Sequence, residues 1–437
     1  MIHTTQQNQV INKTSPFYAL SFPNFRLFFI GQLISVAGTW MQSIAQQWLV
    51  WDITHSTVWL GIVAGASAIP YIAFSIWGGQ VADRHSRRKI LIWTQVIPML
   101  MAFILAALAT NRWVHVQGWH IAVLSAIGGL VNAFNMPAQQ AFVFDMVDER
   151  EALGNAIALN SMRFNLARFM GPILAGVVLA RWGAFMCFFL NGLSFIAVII
   201  SLYMMRLKPF TRRESDVNIW GGLQYVMRDR SMLRVIALIG MGSLFAWSAS
   251  TLFPVFADHF KHGAGGYSAM MAANGVGAAL GAFSLAAFGH RMSRRRSIYI
   301  GAFGFSIGLL LLTVMSNYYL ALCTLVLCGY MMIFFGISSN TKVQEDSPDR
   351  LRGRVMAVYS LVFGGMMPVG GLEIGFLAQQ LGRHTHPLMN AGAHTMATYS
   401  GAVSAIRVNV TLCIIATAFM LIWSIVDSKK NHETETA

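Results

Sequence analysis

Stretches of some twenty predominantly apolar residues recur through this chain, at roughly 26–51, 57–80, 90–110, 119–141, 156–180, 184–205, 233–256, 267–289, 297–316, 318–341, 354–377 and 401–426. An α-helix rises about 1.5 Å per residue, so about twenty apolar residues cross a hydrocarbon core about 30 Å thick. A dozen such stretches in 437 residues predict an all-α polytopic membrane protein with twelve transmembrane helices. A transmembrane barrel is excluded, because its strands read as short alternating segments. A water-soluble fold is excluded as well. Only 11% of the residues are Asp, Glu, Lys or Arg, where soluble chains carry about 25%.

Charge placement orients the spans. The formal charge of +14 would point to nucleic acid in a soluble protein. Here the basic residues lie between apolar runs, so no nucleic-acid partner is expected. Arg84, Arg87, Arg88, Lys89, Arg206, Lys208, Arg212, Arg213 and Arg294–Arg296 fall in even-to-odd connections, whereas Arg112, Arg181, Lys261 and Arg383 fall in the others. The positive-inside rule then places both termini in the cytoplasm. The first residues lack a basic stretch followed by a cleavable apolar core, so no signal peptide is expected. Cys187, Cys323, Cys328 and Cys413 sit in apolar runs without metal-ligand spacing and read as small hydrophobes.

The longest inner connection divides the spans six and six. The expected organisation is a segment 1–25, a six-helix bundle 26–205, a linker 206–232, a second bundle 233–426 and a tail 427–437. Within the linker, Trp220, Leu223, Tyr225, Val226 and Met227 fit a short helix along the membrane surface. The halves echo each other. Gly79-Gln80-Val81-Ala82-Asp83-Arg84-His85-Ser86-Arg87-Arg88 returns in degraded form as Gly289-His290-Arg291-Met292-Ser293-Arg294-Arg295-Arg296. Likewise Asp148-Glu149-Arg150 with Gly154 parallels Asp349–Arg354. Matching loops at matching places indicate duplication, as in secondary transporters.

With these features assembled, the chain resembles the major facilitator superfamily over residues 20–428. The specific sign is Gly79-x-x-x-Asp83-Arg84-x-x-Arg87-Arg88, with Ser86 at a position usually glycine. Ala167-Arg168-Phe169-Met170-Gly171-Pro172-Ile173-Leu174-Ala175-Gly176 is similar to the superfamily's antiporter motif, and Gly171, Pro172 and Gly176 are its helix-packing residues here. Ala126–Gln140 holds no counterpart of the span-four arginine of many proton-coupled drug exporters. Together with Asn160-Ser161 and Asp349–Arg354, these stretches look most like the siderophore-exporter and macrolide-efflux branch. The resemblance implies two bundles rocking about a central cavity, with Asp83 gating near Gly353–Met356. Arg84, Arg87, Arg88 and Arg352 belong to the same gate, with Arg87 or Arg88 reaching Asp145 or Asp148.

Polar residues inside the spans mark candidate sites, since each is costly against lipid. Gln32, Ser35, Thr39, Gln42 and Gln46 recur at spacings of three and four, on one face of span one. They wall a cavity or bond to other helices, beside Trp40, Met41 and Trp48. Asn132, Asn135 and Gln139 pose the same alternative in span four. Arg168 lies near the middle of span five, where it contacts an anionic substrate group or serves as a structural hub. Arg163 is nearer the inner face and reads as snorkelling. Glu373 and Arg407 form an outer ion pair, or Glu373 carries a proton in a poorly hydrated cavity, with Asp52 a weaker candidate. The connection 378–400 reads as a polar surface loop whose His384, His386 and His394 hold no metal.

The function expected is export of an amphipathic small molecule, a siderophore or a hydrophobic drug, by a monomer. It would sit among the lipids of a bacterial inner membrane and use the proton gradient with no bound cofactor. Import of a siderophore, metal chelate or nutrient is the alternative. A sensor or a membrane enzyme is less in keeping, since no zinc pair or nucleotide-cradling loop appears.

Overall fold

The computed structural model describes residues 15, 17–112, 114–147, 149–207, 219–289, 292–348, 351–385 and 391–436. Within them the chain is helical nearly throughout. Spans one to four are α1 (Pro23–Thr54), α2 (Thr57–Arg84), α3 (Arg87–Ala109) and α4 (Gly118–Met146). The apolar run that continues from Arg150 to Met204 forms α5, 55 residues long. A straight helix of that length would extend about 80 Å, more than twice the hydrocarbon thickness. It does not run straight: Gly183 adopts φ 73°, ψ −177°, a conformation that only glycine enters freely. Spans five and six are therefore one helical segment folded back at Gly183.

The linker helix is present as α6 (Ile219–Arg228). Val226 is buried and Met227 is exposed, as its amphipathic pattern requires. Span seven begins as α7 (Arg230–Met241), loosens into a π turn at Gly242–Ala246, tightens into a 3-10 turn at Trp247–Leu252, and resumes as α8 (Phe253–His259). Spans eight to twelve are α9 (Gly263–Phe288), α10 (Arg294–Leu312), α11 (Tyr318–Asp346), α12 (Arg352–Thr385) and α13 (Ala391–Thr436). Among the described residues, eleven helical stretches are long and apolar enough to cross a membrane, and the one that folds back makes the count consistent with twelve crossings.

One expectation fails here. The stretch 378–400 is not mainly a loop, because α12 continues to Thr385 and α13 begins at Ala391. His386 lies outside the described residues, as do the side chains of His384 and His394. No group of three potential metal-ligating side chains occurs among the described residues.

The packing displays the duplication. In the first half α2 lies along α4 and α3 along α5; in the second, the corresponding α9 lies along α11 and α10 along α13. The halves meet in two seams, α2 against α12 and α5 against α9. As second spans of their halves α2 and α9 correspond, and as fifth spans α12 and the first part of α5 correspond, so the two seams are one contact made twice, as a pseudo-two-fold relation demands.

Candidate functional site

Both seams close at the end remote from the arginine-rich loops. Thr57, the first residue of α2, donates its hydroxyl to the Gly375 carbonyl at 2.9 Å. A Cβ on Gly375 would lie 2.5 Å from the Thr57 carbonyl oxygen, so only glycine permits this approach. In the other seam, a Cβ on Gly265 would lie 3.6 Å from that of Ala180, and one on Gly176 3.4 Å from that of Ser268. The Tyr267 hydroxyl donates to Gln47 Oε1 at 2.9 Å, its ring stacked on Trp48 with centroids 6.3 Å apart. The halves are thus joined at this end by close helix contact and a partly buried polar bond.

Arg168 lies on α5 about fifteen residues before the Gly183 turn, hence about 22 Å below it and near mid-membrane. Its guanidinium carbon sits 5.6 Å from the Trp40 ring centroid on α1, and Nη2 approaches Met332 Sδ on α11 at 3.7 Å. Phe164 meets the same Trp40 ring edge-on at 6.1 Å. Among the described residues no carboxylate lies within ion-pair distance of Arg168. The result is a half-buried cation framed by aromatic faces and a thioether, and it bridges the two halves. Such a site accommodates rings beside an anionic or electron-rich group.

The motif following Arg168 does the packing. A Cβ on Gly171 would lie 2.3 Å from Trp40 Cβ, so this glycine lets α5 close on α1. Pro172 is buried in the next position, and Gly176 faces α9. One short stretch therefore fixes α5 to its own half and to the other.

The polar stripe of α1 is largely committed to helix contacts. Gln32 Oε1 accepts from Arg163 Nη1 at 3.1 Å, Gln42 Oε1 from Asn191 Nδ2 at 2.7 Å, and Gln46 Nε2 donates to Ser125 Oγ at 2.7 Å. Ser35 is buried, and the Thr39 hydroxyl bonds back to the Ser35 carbonyl. Of the two readings, interhelical bonding describes Gln32, Gln42 and Gln46. Thr39 is exposed beside Trp40. Asn135 Oδ1 likewise accepts from Thr94 at 3.0 Å and Gln95 at 3.3 Å, tying α4 to α3. Asn132 is exposed, seven residues beyond Ser125 on the face that α4 turns toward α1.

Arg163 does not snorkel. It is 2% exposed, with Nη2 donating to Asn160 Oδ1 at 2.9 Å and its guanidinium carbon 5.4 Å from the Phe28 centroid. The amide oxygens of Gln32 and Asn160 hold the charge inside the first bundle, and Asn160 one turn before Arg163 was the signal for this. The Glu373–Arg407 pair is also absent. Glu373 Oε2 accepts from Asn409 Nδ2 at 2.7 Å, whereas Arg407 donates to the Thr313 hydroxyl at 3.1 Å. Positions 407 and 409 lie about 200° apart around α13, so one faces α10 and the other α12. Asp52 is exposed at the far end of α1.

At the arginine-rich end, Arg87 donates to Asp145 Oδ1 at 2.6 Å, joining the start of α3 to the end of α4. Arg88 Nη2 donates to the Tyr203 carbonyl at 2.8 Å, and Arg352 Nε to the Gln344 carbonyl at 3.1 Å. These bonds run within each half. Asp83 is half-buried in the last turn of α2, Arg84 beside it is exposed, and Asp148 lies outside the described residues. In the degraded copy, Ser293 caps α10 by accepting from the Arg296 amide at 3.3 Å.

The profile of a family described as transmembrane secretion effector matches residues 14–416. The chain belongs to that family. It is thereby a multi-pass transporter of the major facilitator type and not an enzyme. It is similar to the staphyloferrin A transporter of Staphylococcus aureus (strain NCTC 8325 / PS 47), 23% identical over 82% of this chain and 90% of that one. It is also similar to the multidrug efflux pump Tap of Mycolicibacterium fortuitum, 25% identical over 82% and 90%. The enterobactin exporter EntS of Escherichia coli O1:K1 / APEC is 23% identical over 77% of this chain and 81% of its own. Among solved structures, a bacterial homologue of the lysosomal transporter Spinster, inward-facing and unoccupied, superposes with TM-score 0.75 at 12% identity, covering 91% of this chain and 96% of that one. A bacterial homologue of ferroportin, also inward-facing, gives TM-score 0.62 at 14% identity over 90% and 98%.

Proposed function

We propose that this transporter exports an amphipathic small molecule, a siderophore or a hydrophobic drug, from the cytoplasm of a bacterium by alternating access driven by proton influx. The arginine-rich end faces the cytoplasm, by the positive-inside rule, and the two seams close the periplasmic end. The observation that carries the reading is Arg168. A cation with no carboxylate at ion-pair distance among the described residues, lying over Trp40 and against Met332 of the opposite half, is placed to meet a ligand of both halves. Relatives named for siderophores and for drug efflux favour a ligand of this mixed character.

Asp83 gates the cytoplasmic end, and Glu373 carries the proton. Glu373 accepts from Asn409 on the second half's inner packing. Protonation would remove the negative charge that this amide now serves and so loosen α12 from α13. The test is counterflow in vesicles containing the purified protein, with siderophores and cationic and anionic drugs as substrates. Saturable exchange lost in Arg168→Ala supports the reading. Exchange unchanged in that variant removes Arg168 from the substrate site, and no exchange with any such compound overturns the substrate class.

A further inference from the structure

Arg163 is a buried charge that the transport site does not use. It lies on α5 five residues before Arg168, about 7.5 Å nearer the arginine-rich end, and is 2% exposed. A guanidinium keeps its charge at neutral pH, and a buried charge persists only where something compensates it. Among the described residues no carboxylate lies within ion-pair distance of Arg163. Phe28 covers its guanidinium and packs edge-on against Phe142, with centroids 5.6 Å apart. Asp145, one turn beyond Phe142 on α4, gives its carboxylate to Arg87 at 2.6 Å.

The hydrogen bonds leave the same gap. Arg163 Nη1 and Nη2 donate to Gln32 Oε1 and Asn160 Oδ1, both neutral acceptors. Arg163 Nε and Gln32 Nε2 are buried donors with no acceptor among the described residues. Turning the Gln32 amide over would set its N–H groups against those of the guanidinium, so no rotation of this side chain satisfies the cluster. One full positive charge and two orphaned donors therefore stand together without a negative group. A water molecule satisfies a donor and leaves the charge; a small anion answers both.

The surroundings set its size and its path. Phe28 and the two amides occupy most of the guanidinium, which leaves the Nε side for an anion of one or a few atoms. Thr39, seven residues along α1 from Gln32 and so on the same face, is exposed. The face that buries Gln32 thus opens two turns farther on, beside Trp40. We propose that a small monovalent anion of the chloride class binds against Arg163 Nε and Gln32 Nε2 as the resident counter-ion of the first bundle. It is a stabilising ligand, distinct from the transported molecule that meets Arg168.

The experiment melts the purified full-length protein in neutral detergent while chloride replaces gluconate at constant ionic strength, and measures radiolabelled chloride by equilibrium dialysis. Bound chloride and a saturable rise in melting temperature of about 3 °C are expected. Gln32→Glu, which places a carboxylate beside the guanidinium, should melt in gluconate as the unaltered protein does in chloride and should no longer bind chloride. If that variant fails to fold, Gln32→Met, which removes the orphaned donor at similar volume, is read in its place and should weaken chloride at least tenfold. Arg168→Ala should leave the chloride response as it was. A melting temperature indifferent to chloride, as water alone at the two donors requires, overturns the proposal. So does a chloride response retained in the Gln32 variant or lost in Arg168→Ala.

Discussion

Arg168 and Arg163 share a helix, lie five residues apart and have opposite surroundings. Arg163 is enclosed by amide oxygens of its own half, whereas Arg168 reaches an aromatic ring and a sulfur across the interface. Arg168→Ala is therefore expected to lower substrate affinity at least tenfold with little change in melting temperature, and Arg163→Leu to do the reverse. Paired binding and thermal-shift titrations on the two variants separate these outcomes. Glu373→Gln should keep counterflow and lose acceleration by a pH gradient; retained acceleration would remove Glu373 as proton carrier. The sequence showed that these side chains could not face lipid, because a charge at mid-membrane costs about 3 kcal/mol or more. It did not show which partner each would find. Partner choice depends on angle around the helix and on neighbours distant in the chain, as with Asn409 taking Glu373 where position 407 faces away.

At the scale of elements, the spans were legible because length and apolarity alone define them. Gly183 was less so, since its turn interrupts α5 through backbone conformation and leaves the apolar run unbroken. The π and 3-10 turns of span seven left no mark that apolar counting reads. The α1 stripe signalled polar contact by its spacing, yet spacing does not distinguish a water-facing wall from three helix-to-helix bonds. Each such bond contributes about 0.6 kcal/mol in a membrane, so Gln42→Leu should lower stability only slightly. The α2–α12 seam is more demanding. Gly375→Val drives a side chain into the Thr57 carbonyl, and overpacking of this kind costs about 1–3 kcal/mol. Because that cost falls only on the state with this seam closed, the variant should become more accessible at that end. Alkylation of a cysteine placed at Ala64 would report it, with an unchanged labelling rate as the contrary outcome.

For the whole molecule, the two-fold relation between the seams and the family membership give one mechanism its geometry: two bundles closed at one end around a cation-bearing centre. If transport requires the closed end to open, fixing the seam must stop it. Ala180 and Gly265 face each other across the α5–α9 seam with Cβ positions 3.6 Å apart, within the disulfide range of about 3.5–4.5 Å. The decisive measurement is substrate counterflow by Ala180→Cys with Gly265→Cys, in a background where the native cysteines are replaced by serine or alanine. Oxidation is expected to abolish exchange, reduction to restore it, and either single variant to be indifferent to both; full exchange with the crosslink verified would contradict transport by opening of this seam.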